Sequence, residues 1–259
     1  MSENILRTVH NDVLHLEISR RDKKNALTRP MYLALAEALA QAGSDPAVRV
    51  VLLRGQEDLF TAGNEVGDFL LRQPGETSAG MHFIRAIAAF AKPLVAAVGG
   101  NAVGIGSTML LHCDLVYAAD NASFKLPFVP LGLCPEACSS LLLPRLAGHQ
   151  RAAELLFFGE AFDARRAYEI GLVNQVLAPA ELMVTAVARA EKLARLPRQA
   201  LLETKALLKR PAKEQLEDTM TVEIQRFGEL AASATAREIF TAFLEKRAAD
   251  FSKLPDGRP

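Results

Sequence analysis

The first two thirds of the chain alternate between short apolar runs with the period of a strand and longer stretches with the period of a helix. Residues 5–9 and 13–18 read as a strand pair turning at Asn11-Asp12, two residue types that tolerate the left-handed backbone of a tight turn. Thr28 then stands where a helix can be capped, with Pro30 in its first turn. Leu33, Ala36, Leu39 and Ala40 continue a helical stripe that stops near Gly43. Residues 48–53 form an unbroken β-branched and aliphatic run, the pattern of a strand covered on both faces. The alternation continues with a helix near 78–91, a strand at 93–98, a helix over about 104–112 and a strand at 114–118. It predicts an α/β fold with right-handed crossovers between parallel strands.

Beyond residue 179 the period becomes purely helical, with segments at 179–195, 198–209, 212–231 and 233–248. Leu196-Pro197 is the natural boundary, because proline restricts the residue before it and readily opens a new helix. The expected organisation is an α/β core over 1–196 and a C-terminal helical region over 197–259. Pro74-Gly75-Glu76-Thr77-Ser78 reads as a mobile loop within a 66–90 region.

Composition narrows the function classes. Thirty Lys+Arg balance thirty Asp+Glu in 259 residues, so there is no net charge to attract a nucleic acid or an anionic membrane, and neither is an expected partner. No uncharged stretch approaches the ~20 residues that cross a bilayer, and the start lacks the basic and apolar regions of a signal peptide. Gly257-Arg258-Pro259 is not a peroxisomal address, so a soluble cytoplasmic protein is expected. Cys113, Cys134 and Cys138 cannot all pair and lack zinc spacing, so they read as reduced thiols. The histidines at 10, 15, 82, 112 and 149 are scattered, which favours surface or core roles.

No P-loop, nucleophile elbow or zinc-protease motif is present, and Gly104-Ile105-Gly106 lacks the third glycine of a dinucleotide fingerprint. Three loops remain. Phe60-Thr61-Ala62-Gly63-Asn64-Glu65 and Gly99-Gly100-Asn101-Ala102-Val103-Gly104-Ile105-Gly106 each follow a buried strand, and their small residues let a ligand approach the backbone. Two such loops facing each other can hold a developing oxyanion. The third, 131–140, sets one carboxylate, Glu136, among Leu133, Cys134, Ala137, Cys138 and Leu141, at the start of a helix that Pro135 prepares. Apolar surroundings raise such a carboxyl's pKa, whereas a helix N-terminus opposes the shift.

Together these segments resemble the crotonase (enoyl-CoA hydratase/isomerase) superfamily over residues 6–247. Lys24-Asn25-Ala26-Leu27, Phe60-Thr61-Ala62-Gly63, and the 100–106 run followed by Cys113-Asp114 are similar to its successive signatures. The resemblance implies a spiral of ββα units, a C-terminal helical region used in trimerisation (homotrimer or dimer of trimers), and an acyl-CoA substrate. It further implies an oxyanion hole formed by the backbone N–H groups of Asn64 and Ile105. Coenzyme A contacts are expected from Lys23, Lys24, Ala26, Ala62, Phe243 and Lys246, the last two from the final helix of this subunit or a neighbour. No metal or separate cofactor is implied, since coenzyme A is part of the substrate.

Departures from the family pattern point to a branch. The positions of the two hydratase glutamates hold Thr108 and Phe128 here, and adding water needs a base to activate it and an acid to protonate carbon. Pro135-Glu136-Ala137-Cys138-Ser139-Ser140 instead resembles a segment of the peroxisomal-type Δ3,Δ2-enoyl-CoA isomerases in which the glutamate is the catalytic base. Ala137 stands where that segment has glycine, and Glu65 where many members have aspartate. The expected activity is transposition of a C3 double bond to C2, with Glu136 as proton shuttle. A hydratase or related acyl-CoA lyase/isomerase is the alternative, and a non-catalytic acyl-CoA-binding scaffold the second.

Overall fold

The computed structural model describes residues 2–71 and 78–254. The expected strand pair is present as β1 (Ile5–His10) and β2 (Val13–Ile18), joined at Asn11 and Asp12 with φ of 49° and 63°. Helix α1 (Arg29–Ser44) follows with Thr28 at its N-cap position, but no helix N–H bonds to the threonine side chain. Next come β3 (Val50–Arg54), β4 (Leu59–Thr61), α2 (Val66–Leu71) and α3 (Ala79–Ala89), the last capped by Ser78, whose side chain accepts from Met81 N. Of the expected loop at 74–78, residues 74–77 lie outside the described residues.

The chain continues through β5 (Leu94–Val98), β6 (Asn101–Val103), α4 (Ile105–Thr108), β7 (Leu115–Ala119) and β8 (Ser123–Lys125). After α5 (Ser139–Ala147) and α6 (His149–Phe158) come β9 (Ala161–Asp163), α7 (Ala164–Glu169) and β10 (Gln175–Leu177). Four helices close the chain: α8 (Pro179–Ala194), α9 (Arg198–Lys209), α10 (Lys213–Ala231) and α11 (Ala234–Leu244). Among the described residues no helix is long and apolar enough to cross a membrane.

The strands form two sheets. The larger has the order β1-β2-β3-β5-β7-β10 and is parallel except for β1, and the smaller has the order β4-β6-β8-β9 with β9 antiparallel. Each of the pairs β3/β4, β5/β6 and β7/β8 gives its first strand to the larger sheet and its second to the smaller. This is the expected spiral of ββα units. Val50, Leu52, Val95 and Ala97 face α8, whose Leu182, Ala186, Ala190 and Ala194 form one stripe of largely small residues that lets the helix sit close. Val51, Leu53, Leu94, Ala96 and Val98 face the other way, onto Leu35, Phe83 and Ile87 of α1 and α3. Both faces are covered, which is why these strands read as continuous apolar runs.

Two buried lysines tie the helices to the sheet. Lys92 Nζ donates to the carbonyls of Ala42, Asp45 and Val48 at 2.5, 2.6 and 2.8 Å, closing the connection from α1 to β3. Lys205 of α9 donates to Lys92 O and to Asp114 Oδ2 at 2.7 and 2.6 Å, while the same Asp114 oxygen accepts from Leu94 N. Removing Lys92 strips three carbonyls of a donor at once. Lys92→Met is therefore expected to lower the unfolding free energy by about 1–3 kcal/mol, read as an earlier urea midpoint with unchanged slope; an unshifted midpoint would show the cage to be dispensable.

Candidate functional site

Parallel pairing of β4 with β6 sets Leu59 beside Asn101 and Thr61 beside Ala102, so the loops that follow these strands leave the sheet together. They touch. A Cβ at Gly63, where φ is +86°, would stand 2.5 Å from Val103 O, and one at Gly106 would stand 2.6 Å from Thr61 Cγ2. Leu27 bridges Asn64 from the other side, donating to Gly63 O at 2.7 Å and accepting from Glu65 N at 3.0 Å, which turns the N–H of Asn64 away from that bridge. Ile105 is the first residue of α4, where an N–H has no acceptor within the helix. Among the described residues neither N–H meets an acceptor. The helix expected over 104–112 is shorter, because α4 tightens after Thr108 into a 3-10 turn at Met109–His112.

Asn25 locks the outer edge of this arrangement. It is fully buried with φ of 56°; its Nδ2 is shared among Gln56 Oε1 at 2.8 Å, Phe60 O at 2.9 Å and Ile18 O at 3.1 Å, and its Oδ1 accepts from Arg20 N at 2.7 Å. Thr61 Oγ1 donates to Asn25 O and accepts from Gly63 N. Glu65 takes an ion pair from Arg20 at 2.8 Å.

Glu136 does not begin a helix, as the sequence led us to expect. Helix α5 starts at Ser139, and Pro135 stands in the irregular segment before the turn. Ala137 and Cys138 adopt φ of 56° and 57°, and this left-handed pair swings residue 136 out of the helical path. Such a conformation costs roughly 1–2 kcal/mol for each residue bearing a Cβ. Three side chains hold it. Ser139 Oγ donates to Glu136 O at 2.6 Å, His112 Nε2 lies 2.8 Å from Ala137 O, and Glu223 of α10 accepts from Cys138 N at 2.6 Å. Glu223 also accepts from Ser140 N and Oγ at 3.0 and 2.5 Å. Burial holds His112 down to about 4, so it is neutral at pH 7 and gives its Nε2 proton to the carbonyl.

The turn borders a cavity of about 340 Å³. Its wall carries Glu136, Asn64 and Tyr32, with Phe69, Met81, Ile84, Met220, Ile224 and Phe227 forming an apolar side. Burial, reinforced by the nearby Glu223 carboxylate, pushes Glu136 up to about 8, against the opposing hydrogen bond from Thr108 Oγ1 at 3.4 Å. Tyr32 Oη donates to Asn64 Oδ1 at 2.5 Å, and burial ahead of the charges of Glu136 and Asp68 raises its own pKa. Phe240 stacks on Phe69 with ring centres 4.9 Å apart, and Phe227 lies 6.0 Å from the same ring, so α10 and α11 cover the cavity of their own chain. Tyr32, Glu223 and Phe227 escaped the sequence reading. One signal for the second pair was there: Glu223 interrupts an apolar stripe running from Met220 to Phe227.

The other expected positions divide. Lys23 and Lys24 are exposed beside the half-buried Ala26 and Ala62, and Ala62 N donates to Lys24 O at 3.0 Å, so these four residues adjoin the Asn64 loop. Phe243 is 61% exposed and lies outside the cavity lining. Lys246 is not in the last helix, which stops at Leu244; it sits in the following turn with φ of 54°. Thr108 and Phe128 are both buried. The three cysteines are free, with thiols pushed by burial up to about 12, 11 and 12 at positions 113, 134 and 138. The left-handed turn yields a test. Ala137→Val puts a β-branched residue at positive φ and is expected to cost about 2–3 kcal/mol, whereas Ala137→Gly should change stability by less than about 1 kcal/mol, strain relief offsetting the lost methyl group. Urea unfolding of both variants decides, and equal effects would contradict the geometry.

A family model described as enoyl-CoA hydratase/isomerase matches residues 8–254. Enoyl-CoA delta isomerase 2 of Rattus norvegicus is 36% identical over 222 residues, 83% of this chain but 56% of that protein, so the chain spans little more than half of that relative's length. The crotonyl-CoA hydratase of Syntrophomonas wolfei is 34% identical over 254 residues, covering 96% of this chain and 98% of that one. The solved structure of Pseudomonas aeruginosa OdaA superposes with a TM-score of 0.91 at 45% identity, over 94% of this chain and 99% of its own. With two layered sheets, touching loops and an acidic turn in the order of the family's signatures, the chain belongs to the enoyl-CoA hydratase/isomerase family, the crotonase superfamily.

Proposed function

We propose that this protein isomerises enoyl-CoA thioesters, moving a double bond from C3 to C2, with Glu136 as the single proton carrier. The observation that carries this reading is the state of the carboxylates. Glu136 stands in the cavity wall with its basicity raised to about 8, while the positions of the hydratase glutamates hold Thr108 and Phe128. Glu136 removes a proton from C2 and returns it to C4. Between the two transfers the electrons reside in a dienolate whose negative oxygen lies against the N–H groups of Asn64 and Ile105. Losing one such donor typically costs about 2.7–4 kcal/mol of barrier. Because both donors are backbone groups, they persist when the side chains are changed. Lys23 and Lys24, exposed beside Ala62, supply the charges for the phosphates of coenzyme A.

Hydration is the second reading. It is favoured by Glu223, another carboxylate in the cavity wall, and by the likeness to a crotonyl-CoA hydratase. Three hydrogen bonds already engage Glu223, which leaves it poorly placed to activate water.

Purified protein given a 3-enoyl-CoA is expected to form the trans-2-enoyl-CoA, and Glu136→Gln to lose about 10²–10⁴-fold in rate. Rapid 3-hydroxyacyl-CoA formation from a 2-enoyl-CoA would establish the hydratase instead, and binding without turnover a scaffold. The base must be ionised, so kcat/KM is expected to rise with pH, reach half its plateau near 8 and level off above it. A profile already flat from pH 6 would contradict this. The same shift links to stability. Glu136 keeps its proton in the folded state where an unfolded glutamate has lost it, so its contribution is complete below the ordinary glutamate value of 4.5 and is lost as pH rises through about 8. Thermal melts of Glu136→Gln should lack that decline.

A further inference from the structure

Glu223 is a buried carboxylate on the cavity wall that the proton shuttle does not use. It comes from α10, far along the chain from the turn it meets. All three of its partners are donors: Cys138 N at 2.6 Å on one oxygen, Ser140 N at 3.0 Å and Ser140 Oγ at 2.5 Å on the other. A carboxylate satisfies all three, whereas an amide would turn an NH2 against a backbone N–H. The residue it grips, Cys138, is the second of the left-handed pair that aims Glu136 away from the helix. Neither Ala137 nor Cys138 belongs to a residue type that favours this conformation, so the turn needs an external hold.

We propose, on the isomerase reading above, that Glu223 is the positioning residue of this site: by gripping Cys138 and Ser140 it fixes the left-handed turn that aims Glu136 into the cavity. The groups facing the pair come from every neighbouring element. Tyr32 stands on α1, with Asp68 of α2 acting on it; Thr108 stands on α4, and Cys134 on the segment before the turn, with Arg226 of α10 acting on it. His112, neutral in its buried place, supports the same turn through Ala137 O. Burial raises the pKa of Glu223 itself, against its hydrogen bonds from Ser140 and Cys138, and its charge adds to the burial that raises Glu136.

The test is Glu223→Gln, with Ser140→Ala as the milder cut of one hydrogen bond. Two quantities are measured on each: kcat and KM for a 3-enoyl-CoA, and the titration midpoint of Glu136 followed by carboxyl carbon NMR in the unliganded protein. Glu223→Gln is expected to reduce kcat about 10- to 100-fold with KM changed less than about threefold. Its Glu136 midpoint should fall below about 8 while burial keeps it above the ordinary carboxylate range. Ser140→Ala should move both quantities the same way by less, and it decides the matter if the first variant does not fold. Folded variants with wild-type kcat and an unmoved midpoint would overturn the assignment. If the wild-type protein turns over no 3-enoyl-CoA, the isomerase reading falls, while the midpoint measurement still decides whether Glu223 governs Glu136.

Discussion

The loops after β4 and β6 lie against each other with no room for a side chain between them, since a methyl group at Gly63 would stand 2.5 Å from Val103 O. The geometry of the site is set by this contact. Parallel pairing of two three-residue strands brings the loops out side by side, and glycine alone lets them stay there. Asn25 then pins the outer loop through its buried amide, and α4 begins at Ile105 on the loop packed against it. The cavity that opens here takes Asn64, on the loop this contact holds in place, into its wall.

Much of the frame was legible because burial leaves a mark on composition. Residues 48–53 and 93–98 read as strands since both of their faces are covered, and the Asn11-Asp12 turn declared itself by residue type. The smaller sheet left no such mark. Its strands β4, β6, β8 and β9 have three residues each, too few for an alternating period to emerge from the surrounding loops. The turn at Glu136 was misread for a different reason. Pro135 followed by polar residues looks like a helix start, and the left-handed state of Ala137 and Cys138 is imposed by contacts from His112 and Glu223 rather than by their own preference. Of the residues the loop signatures pointed to, Asn64 and Glu136 line the cavity, while Tyr32 and Glu223 entered it through folding alone, from helices at opposite ends of the chain.

Buried polar groups in this fold act as ties between segments rather than as isolated charges. Lys92 collects three carbonyls at the end of α1, Lys205 joins α9 to Asp114, and Glu223 joins α10 to the start of α5. Each finds several partners, which is the condition under which burying such a group is tolerated. Glu136 differs. Among the described residues its side chain has one long hydrogen bond, from Thr108, and burial beside another carboxylate raises its pKa.

The bond between Cys138 and Glu223 joins residues 85 positions apart. A ribosome delivers Glu136 well before the helix that secures its turn, so the nascent chain carries this turn without its anchor until α10 emerges and docks. In the order of synthesis the turn therefore waits for its hold, and the part of the cavity wall that α10 supplies forms only once that helix has docked.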